Sequence, residues 1–155
     1  RQSERQTSAH NTVVVNSEDQ TEVWGGFRVA KRAELINLNE GVDFVEAEHD
    51  GYKRIGVSHA RKFLINKSFV KIKDTIVNDL NYNQTAYFHL HPSLKKLIIN
   101  ELNIVIENNI IMVFKGTNVF INKESYDYAE GFNKTKKAIV IKVTFESNLE
   151  TSIKL

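Results

Sequence analysis

The sequence predicts an all-β fold, an antiparallel β-sandwich or barrel made of many short strands. Three observations carry this. Runs rich in Val, Ile, Phe, Tyr and Thr recur along the 155 residues, and such residues suit a pleated, half-buried surface. Gly and Asn punctuate the runs, at Gly25-Gly26, Asp50-Gly51, Gly116 and Gly131, with one proline in the whole chain; both residues tolerate the positive φ that turns need. In the clearest run the side chains alternate: Val70, Ile72, Asp74 and Ile76 face one way, and Phe69, Lys71, Lys73 and Thr75 the other.

The elements follow in order. Residues 12–15 are the first strand. The second covers 29–38, and the third covers 42–49. Asp50-Gly51 then reads as a hairpin turn. The fourth strand covers 52–65 and puts Ile55, Val57, His59, Arg61, Phe63 and Ile65 on one face. Further strands are expected at 68–77, 85–91, 109–114, 118–122 and 138–145. The stretch from Ser93 to Ile106 fits two templates. Leu94, Leu97, Ile98, Leu102 and Val105 recur at helical spacing, while Ile98-Ile99 and Ile104-Val105-Ile106 suit strands. The strand reading is preferred. The segment Asn133-Lys134-Thr135-Lys136-Lys137 reads as a solvated basic loop.

Composition narrows the function. Charged residues make up 26% and hydrophobic ones 41%, ordinary globular values that exclude a wholly disordered chain. No window approaches the roughly 20 apolar residues of a spanning helix. The net charge is +2, from 21 basic and 19 acidic residues, so no basic stripe points to nucleic acid. Cysteine is absent, which removes thiolate metal sites and thiol catalysis. No phosphate-binding Gly loop, G-x-S-x-G elbow or H-E-x-x-H occurs. The polar opening Arg1-Gln2-Ser3, without Met or an apolar segment, reads as a cut or processed end. One domain over residues 1–155 is expected.

Several constellations can carry chemistry. His89 and His91 stand two apart, so on a strand both rings point the same way and can reach one metal. Two half-exposed rings on a sheet face is the plainer reading. His10 precedes the first strand, where backbone geometry can hold a ligand or base. The segment from Asp19 to Arg28 contains the only Trp, a Gly pair and an Arg. Trp24 can stack on the apolar face of a sugar ring and Arg28 can grip a carboxylate; alternatively Trp24 and Phe27 plug one end of the sandwich. Lys31, Arg32, Arg54, Arg61 and Lys62 fall on or beside consecutive strands and can form a basic face for an acidic polymer.

Taken together and in order, these segments resemble the C-terminal β-rich region of the heparinase II/III-like polysaccharide lyases. The carrying residues run from Arg5 to Val13 through Ser8-Ala9-His10-Asn11-Thr12, and from Asp19 to Ala33 through Trp24-Gly25-Gly26-Phe27-Arg28. His49-Asp50-Gly51-Tyr52, His59-Ala60-Arg61, Asp74, Phe88-His89-Leu90-His91-Pro92 and Tyr128-Ala129-Glu130-Gly131-Phe132 complete the set. The resemblance implies a C-terminal antiparallel β-sandwich, supersandwich-like, paired with an upstream α/α toroid, and β-elimination of uronic-acid polysaccharides. In that reaction a base removes the proton α to the carboxyl, a second group neutralises the carboxylate, and an acid, often Tyr, protonates the leaving oxygen. Neutralisation is needed because negative charge builds on the carboxylate in the transition state.

The resemblance also implies where parts are lacking. The toroid, with the family's catalytic Asn and Tyr, and a Gly-His-x-His-x-Asp motif fall outside these 155 residues. The main catalytic residues are therefore expected upstream. His10 matches one ligand of the metal-binding members, so a divalent ion, zinc or calcium, is a possible cofactor. Trp24, Arg28, Arg32 and His59 are the expected substrate contacts. An acidic polysaccharide and the toroid are the expected partners, the bacterial periplasm or envelope the expected place, and an exposed apolar or aromatic patch the expected toroid-docking face. A non-catalytic polysaccharide-binding or support module is the alternative.

Overall fold

The computed structural model describes residues 3–154, with the side chain of Asn108 excepted; Arg1, Gln2 and Leu155, and with them the first residues of the polar start, lie outside. Its strands are β1 Val13–Val15, β2 Glu22–Trp24, β3 Arg28–Ala30, β4 Leu35–Glu40, β5 Phe44–His49, β6 Ser58–Ile65, β7 Phe69–Val77, β8 Gln84–His89, β9 Leu97–Asn100, β10 Asn103–Ile106, β11 Ile110–Gly131 and β12 Lys134–Lys154. Four single turns of 3₁₀ helix are the only helical elements among the described residues. The fold is the expected all-β antiparallel sandwich.

One long hairpin organises it. β11 and β12 pair antiparallel along nearly their whole length. The other edge of β12 is shared between two strands. Its first half pairs with β8, Val140 opposite His89, and its last residues pair with β7, Thr151 opposite Ile72. The sheet therefore runs β4-β5-β6-β7-β12-β11-β10-β9, with β1 and β8 branching from β12, and β2-β3 forming a separate small hairpin. The register shifts around Gly116 and Thr117, and Asn118 and Ser147 take positive φ there. A bulge of this kind bends the ribbon and lets two long strands serve both layers.

Alternation sorts the faces. Phe88, Ile141 and Val143 point inward and meet Ile72, Ile76, Phe114, Ile104 and Leu149 in one core. Tyr52 is fully buried, and its hydroxyl donates to the Val13 carbonyl at 2.6 Å, tying the loop after β5 to β1. On the opposite face Ala138 and Val140 are also nearly buried, at 6% and 5% exposure, yet they stand outside that core. Tyr126, opposite Ala138, and His89, opposite Val140, flank them on the outer face.

Four expectations change. The run 29–38 is broken into β3 and β4, with Lys31 in positive φ between them. Asp50-Gly51 is not a two-residue hairpin, and the strand expected from Tyr52 begins at Ser58: residues 50–57 form a wider connection containing a 3₁₀ turn at Lys53–Ile55, because the Asp50 N–H donates to the Glu34 carbonyl while its carboxylate accepts the Glu34 N–H and holds Lys53. The runs 109–114, 118–122 and 138–145 are pieces of the two long strands. The basic segment 133–137 is mostly strand, and only its start, with Asn133 in positive φ, makes the turn. The strand reading of the 93–106 stretch holds, as the β9-β10 hairpin.

Candidate functional site

A polar and aromatic cleft of about 950 Å³ lies on the outer face of β8, β12 and β11. Register places its parts. Glu124 stands opposite Val140, Tyr126 opposite Ala138, and Tyr128 opposite Lys136. On the other side of β12, Tyr87 stands opposite Lys142 and His89 opposite Val140. Ala138 and Val140 are thus a low floor between two rows of rings. Over that floor His89 meets Tyr126 edge to face, with centroids 4.8 Å apart, and beyond it His91 meets Tyr128 at 5.4 Å. Such pairs favour the tilted geometry because ring edges are positive and faces negative. Lys142 spans Glu124 at 2.8 Å and lies 5.6 Å from the Tyr87 ring.

The segment 3–11 closes the other side, contributing Gln6, Ser8, His10 and Asn11 to the lining. Two 3₁₀ turns would not hold a place alone. Thr7 fixes the first part: its N–H donates to Asp19 Oδ1 at 2.6 Å and its hydroxyl accepts from the Gln20 N–H. Arg5 donates to the carbonyls of Trp24 and Arg28. Asn11 fixes the end. Its side-chain oxygen accepts the His89 N–H at 2.7 Å, and the His89 ring stands at 3.0 Å from the same atom. An oxygen already accepting from a backbone N–H can only accept again, so His89 Nδ1 carries the hydrogen and Nε2 keeps the lone pair of the neutral ring. Burial and the neighbouring His10 push the His89 pKa down, which favours that neutral form. Tyr126 donates to the Leu90 carbonyl at 2.8 Å, and burial raises its phenol pKa.

Behind the cleft wall stands a buried polar chain. The Gly51 N–H donates to His49 Nδ1 at 3.1 Å. His49 Nε2 lies 3.2 Å from His59 Nδ1, and His59 Nε2 lies 2.7 Å from Asp74 Oδ1. The roles follow in sequence. With His49 Nδ1 accepting, its Nε2 donates; His59 Nδ1 then accepts and its Nε2 donates to the carboxylate. Arg61 grips the same carboxylate with two nitrogens, at 2.7 and 3.1 Å, and gives a third to the Asn11 carbonyl. Burial pushes the Asp74 carboxyl up, but the His59 hydrogen bond and the Arg61 charge outweigh it and hold the pKa below its ordinary value. Burial, then the neighbouring His59, pushes His49 down to about 4.

The sequence model of the C-terminal region of heparinase II/III-like proteins matches residues 1–155. The chain belongs to the heparinase II/III-like family. No curated protein sequence matches this heparinase II/III-like domain. Among solved structures it is similar to heparinase III, the BT4657 gene product, with a TM-score of 0.74 at 14% identity. It is also similar to heparan sulfate lyase HepC from Pedobacter heparinus, with a TM-score of 0.69 at 15% identity. In both cases the match covers 97% of this chain and 24% of the other. The domain thus spans about a quarter of the length of those proteins, and at such identity the likeness is one of fold.

The residues singled out in the sequence fall in three places. His10 lines the cleft, as do His89 and His91. His59 lies inside the polar chain at 2% exposure, where no substrate reaches it without movement; its contacts are His49 and Asp74. Trp24, Arg28 and Arg32 are exposed on or just after the β2-β3 hairpin and are not part of the cleft lining. Trp24 does not plug the sandwich: it is 37% exposed with Arg28 5.8 Å over its ring, and Phe27 beside it is 84% exposed. Among the described residues no three His, Asp or Glu side chains gather as a metal-holding group. Sequence reasoning missed Tyr87, Tyr126 and Lys142, and had Tyr128 only as part of the family pattern. One signal was present: Tyr126 and Tyr128 repeat the two-residue spacing of His89 and His91.

Proposed function

We propose that this chain is the C-terminal β-sandwich domain of a lyase that cleaves acidic, uronate-containing polysaccharide by β-elimination. The observation that carries this, beyond family membership, is the cleft: rows of Tyr and His rings over a small-residue floor, with polar groups at both sides. Aromatic faces and fixed polar groups are what a sugar ring needs for stacking and orientation. His10 and the neutral His89 offer nitrogen atoms to the substrate, and the tyrosine rings offer surface. Trp24, Arg28 and Arg32 offer a second, exposed contact strip for a long polymer. Those that initiate the chemistry, the carboxylate-neutralising group and the acid–base pair, come from an upstream toroid under this reading. His10 joins ligands of an upstream motif if zinc or calcium is bound. The exposed Leu35, Ile36 and Leu38 of β4 supply an apolar patch for the toroid to dock on.

A non-catalytic polysaccharide-binding or support module is the second reading. What favours it is that the chain spans about a quarter of the matched lyases. One experiment separates them. Heparin, heparan sulfate and alginate are offered to this domain joined to its upstream toroid, binding is followed by calorimetry, and the unsaturated uronate product by its ultraviolet absorbance. Product with binding supports the lyase reading for this chain. Saturable binding without product supports the module. Neither binding nor product with any of the polymers contradicts both.

A further inference from the structure

A second groove, lined by His91, Pro92, Lys95, Tyr128, Lys136 and Lys137 among others, shares His91 and Tyr128 with the cleft. The two are one continuous trough with different charge at its ends. In the cleft the carboxylates Glu4 and Glu124 face one lysine, Lys142, which is itself engaged by Glu124. In the adjoining groove three lysines face one carboxylate, Glu130. A polyanion therefore meets little positive charge where the rings are and a concentrated positive charge next to them.

We infer that the trough divides the work: sugar rings lie in the aromatic cleft, while the polymer's carboxylate or sulfate groups are held by Lys95, Lys136 and Lys137 in the neighbouring groove. This rests on the proposed polysaccharide reading and deepens it, naming a strongly anionic oligosaccharide long enough to lie across both parts. The lysines are available for the task. Lys136 and Lys137 keep 57% and 73% of their side chains exposed, and each pairs with one carboxylate, Glu130 and Asp127. Exposed pairs of this kind contribute little and exchange readily for a ligand anion. Strand register fixes the spacing: Lys136 stands directly opposite Tyr128 on the same face of the ribbon, while Lys137, paired with Asp127, alternates to the other face and borders the groove. The β-ribbon thus sets cation and ring side by side at the junction of the two grooves. Binding then depends on chain length, since a short oligosaccharide fills one part only.

The test uses calorimetric titration of sulfated uronate oligosaccharides, from disaccharide to octasaccharide, into the wild type and a K95A/K136A/K137A variant. The substituted side chains are exposed, and circular dichroism melts confirm the fold. Lys73→Ala, an exposed lysine on β7 away from both grooves, is the control. The wild type is expected to bind longer oligosaccharides much more tightly than the disaccharide. The triple variant loses that gain, by about tenfold or more for the octasaccharide, with a flatter salt dependence and unchanged disaccharide binding. A triple variant that binds the octasaccharide like the wild type overturns the inference while leaving the polysaccharide reading in place. A wild type that binds no oligosaccharide overturns both. Equal competition by single-stranded DNA of matched charge overturns the assignment of a sugar polyanion.

Discussion

Asp74 keeps its charge at a fully buried position because three nitrogens converge on its two oxygens, one from His59 and two from Arg61. Removing the carboxylate leaves the guanidinium without its partner and His59 without its acceptor. Asp74→Ala is therefore expected to cost about 3–5 kcal/mol, the usual loss when one member of a buried pair is deleted, measured as a shift of the urea midpoint. The same chain makes stability pH-dependent. His49 has a folded pKa near 4 against an ordinary 6.5, so between those values the unfolded chain binds more protons than the folded one. Stability is then full above about pH 6.5 and falls as pH drops towards 4. Asp74, depressed in the folded state, adds a further loss below its ordinary range. Urea melts from pH 7 to 4.5 should show the decline in the wild type and a weaker one in His49→Gln; equal slopes would remove His49 from the explanation. His49, His59, Arg61 and Asp74 were all legible as residues of the family pattern, but not as a chain. They sit on three strands, and only the register that places His49 opposite His59 and Arg61 opposite Asp74 brings them together.

The β11-β12 hairpin shows how local signals mislead at the next scale. Gly116 and Asn118 carry the composition of a turn, and the sequence accordingly reads as two short strands. In the structure the chain continues as one bent strand, and the positive φ of Asn118 and Ser147 is spent on a bulge. Gly116 is needed there for a different reason than a turn: a Cβ would come within 2.6 Å of the Asn148 carbonyl oxygen. Backbone must shift to admit it, so Gly116→Ala is expected to destabilise by about 1–3 kcal/mol, read as a lowered melting temperature. The β2-β3 hairpin is the opposite case. Its unusual composition was visible, and whether Trp24 is buried or open was not, because Arg5, nineteen positions earlier, is what positions its backbone. As the only Trp, it makes fluorescence specific to this hairpin. Emission should be red-shifted and readily quenched by acrylamide. If the strip joins polymer binding, added heparan sulfate blue-shifts and protects it; an insensitive spectrum removes Trp24 from the contact surface.

For the molecule as a whole, the class of fold follows from alternation and turn residues, and the position of the cleft follows from topology. β8 and β11 are far apart in the chain, and both flank β12. That arrangement alone puts the His89 and His91 pair across from Tyr126 and Tyr128, and it explains why the second row of rings escaped a reading made strand by strand. The core, the Arg61 clamp and the 3–11 segment then serve one end, which is to hold a wall of side chains around an outer-face depression. The most direct measurement of this account is a calorimetric titration of heparan sulfate into the wild type and into Tyr126→Ala and Tyr128→Ala variants, each checked for an unchanged fold by circular dichroism. The account predicts saturable binding by the wild type and at least about tenfold weaker binding by both variants, a loss of roughly 1.4 kcal/mol or more. Wild-type affinity in both variants would contradict it.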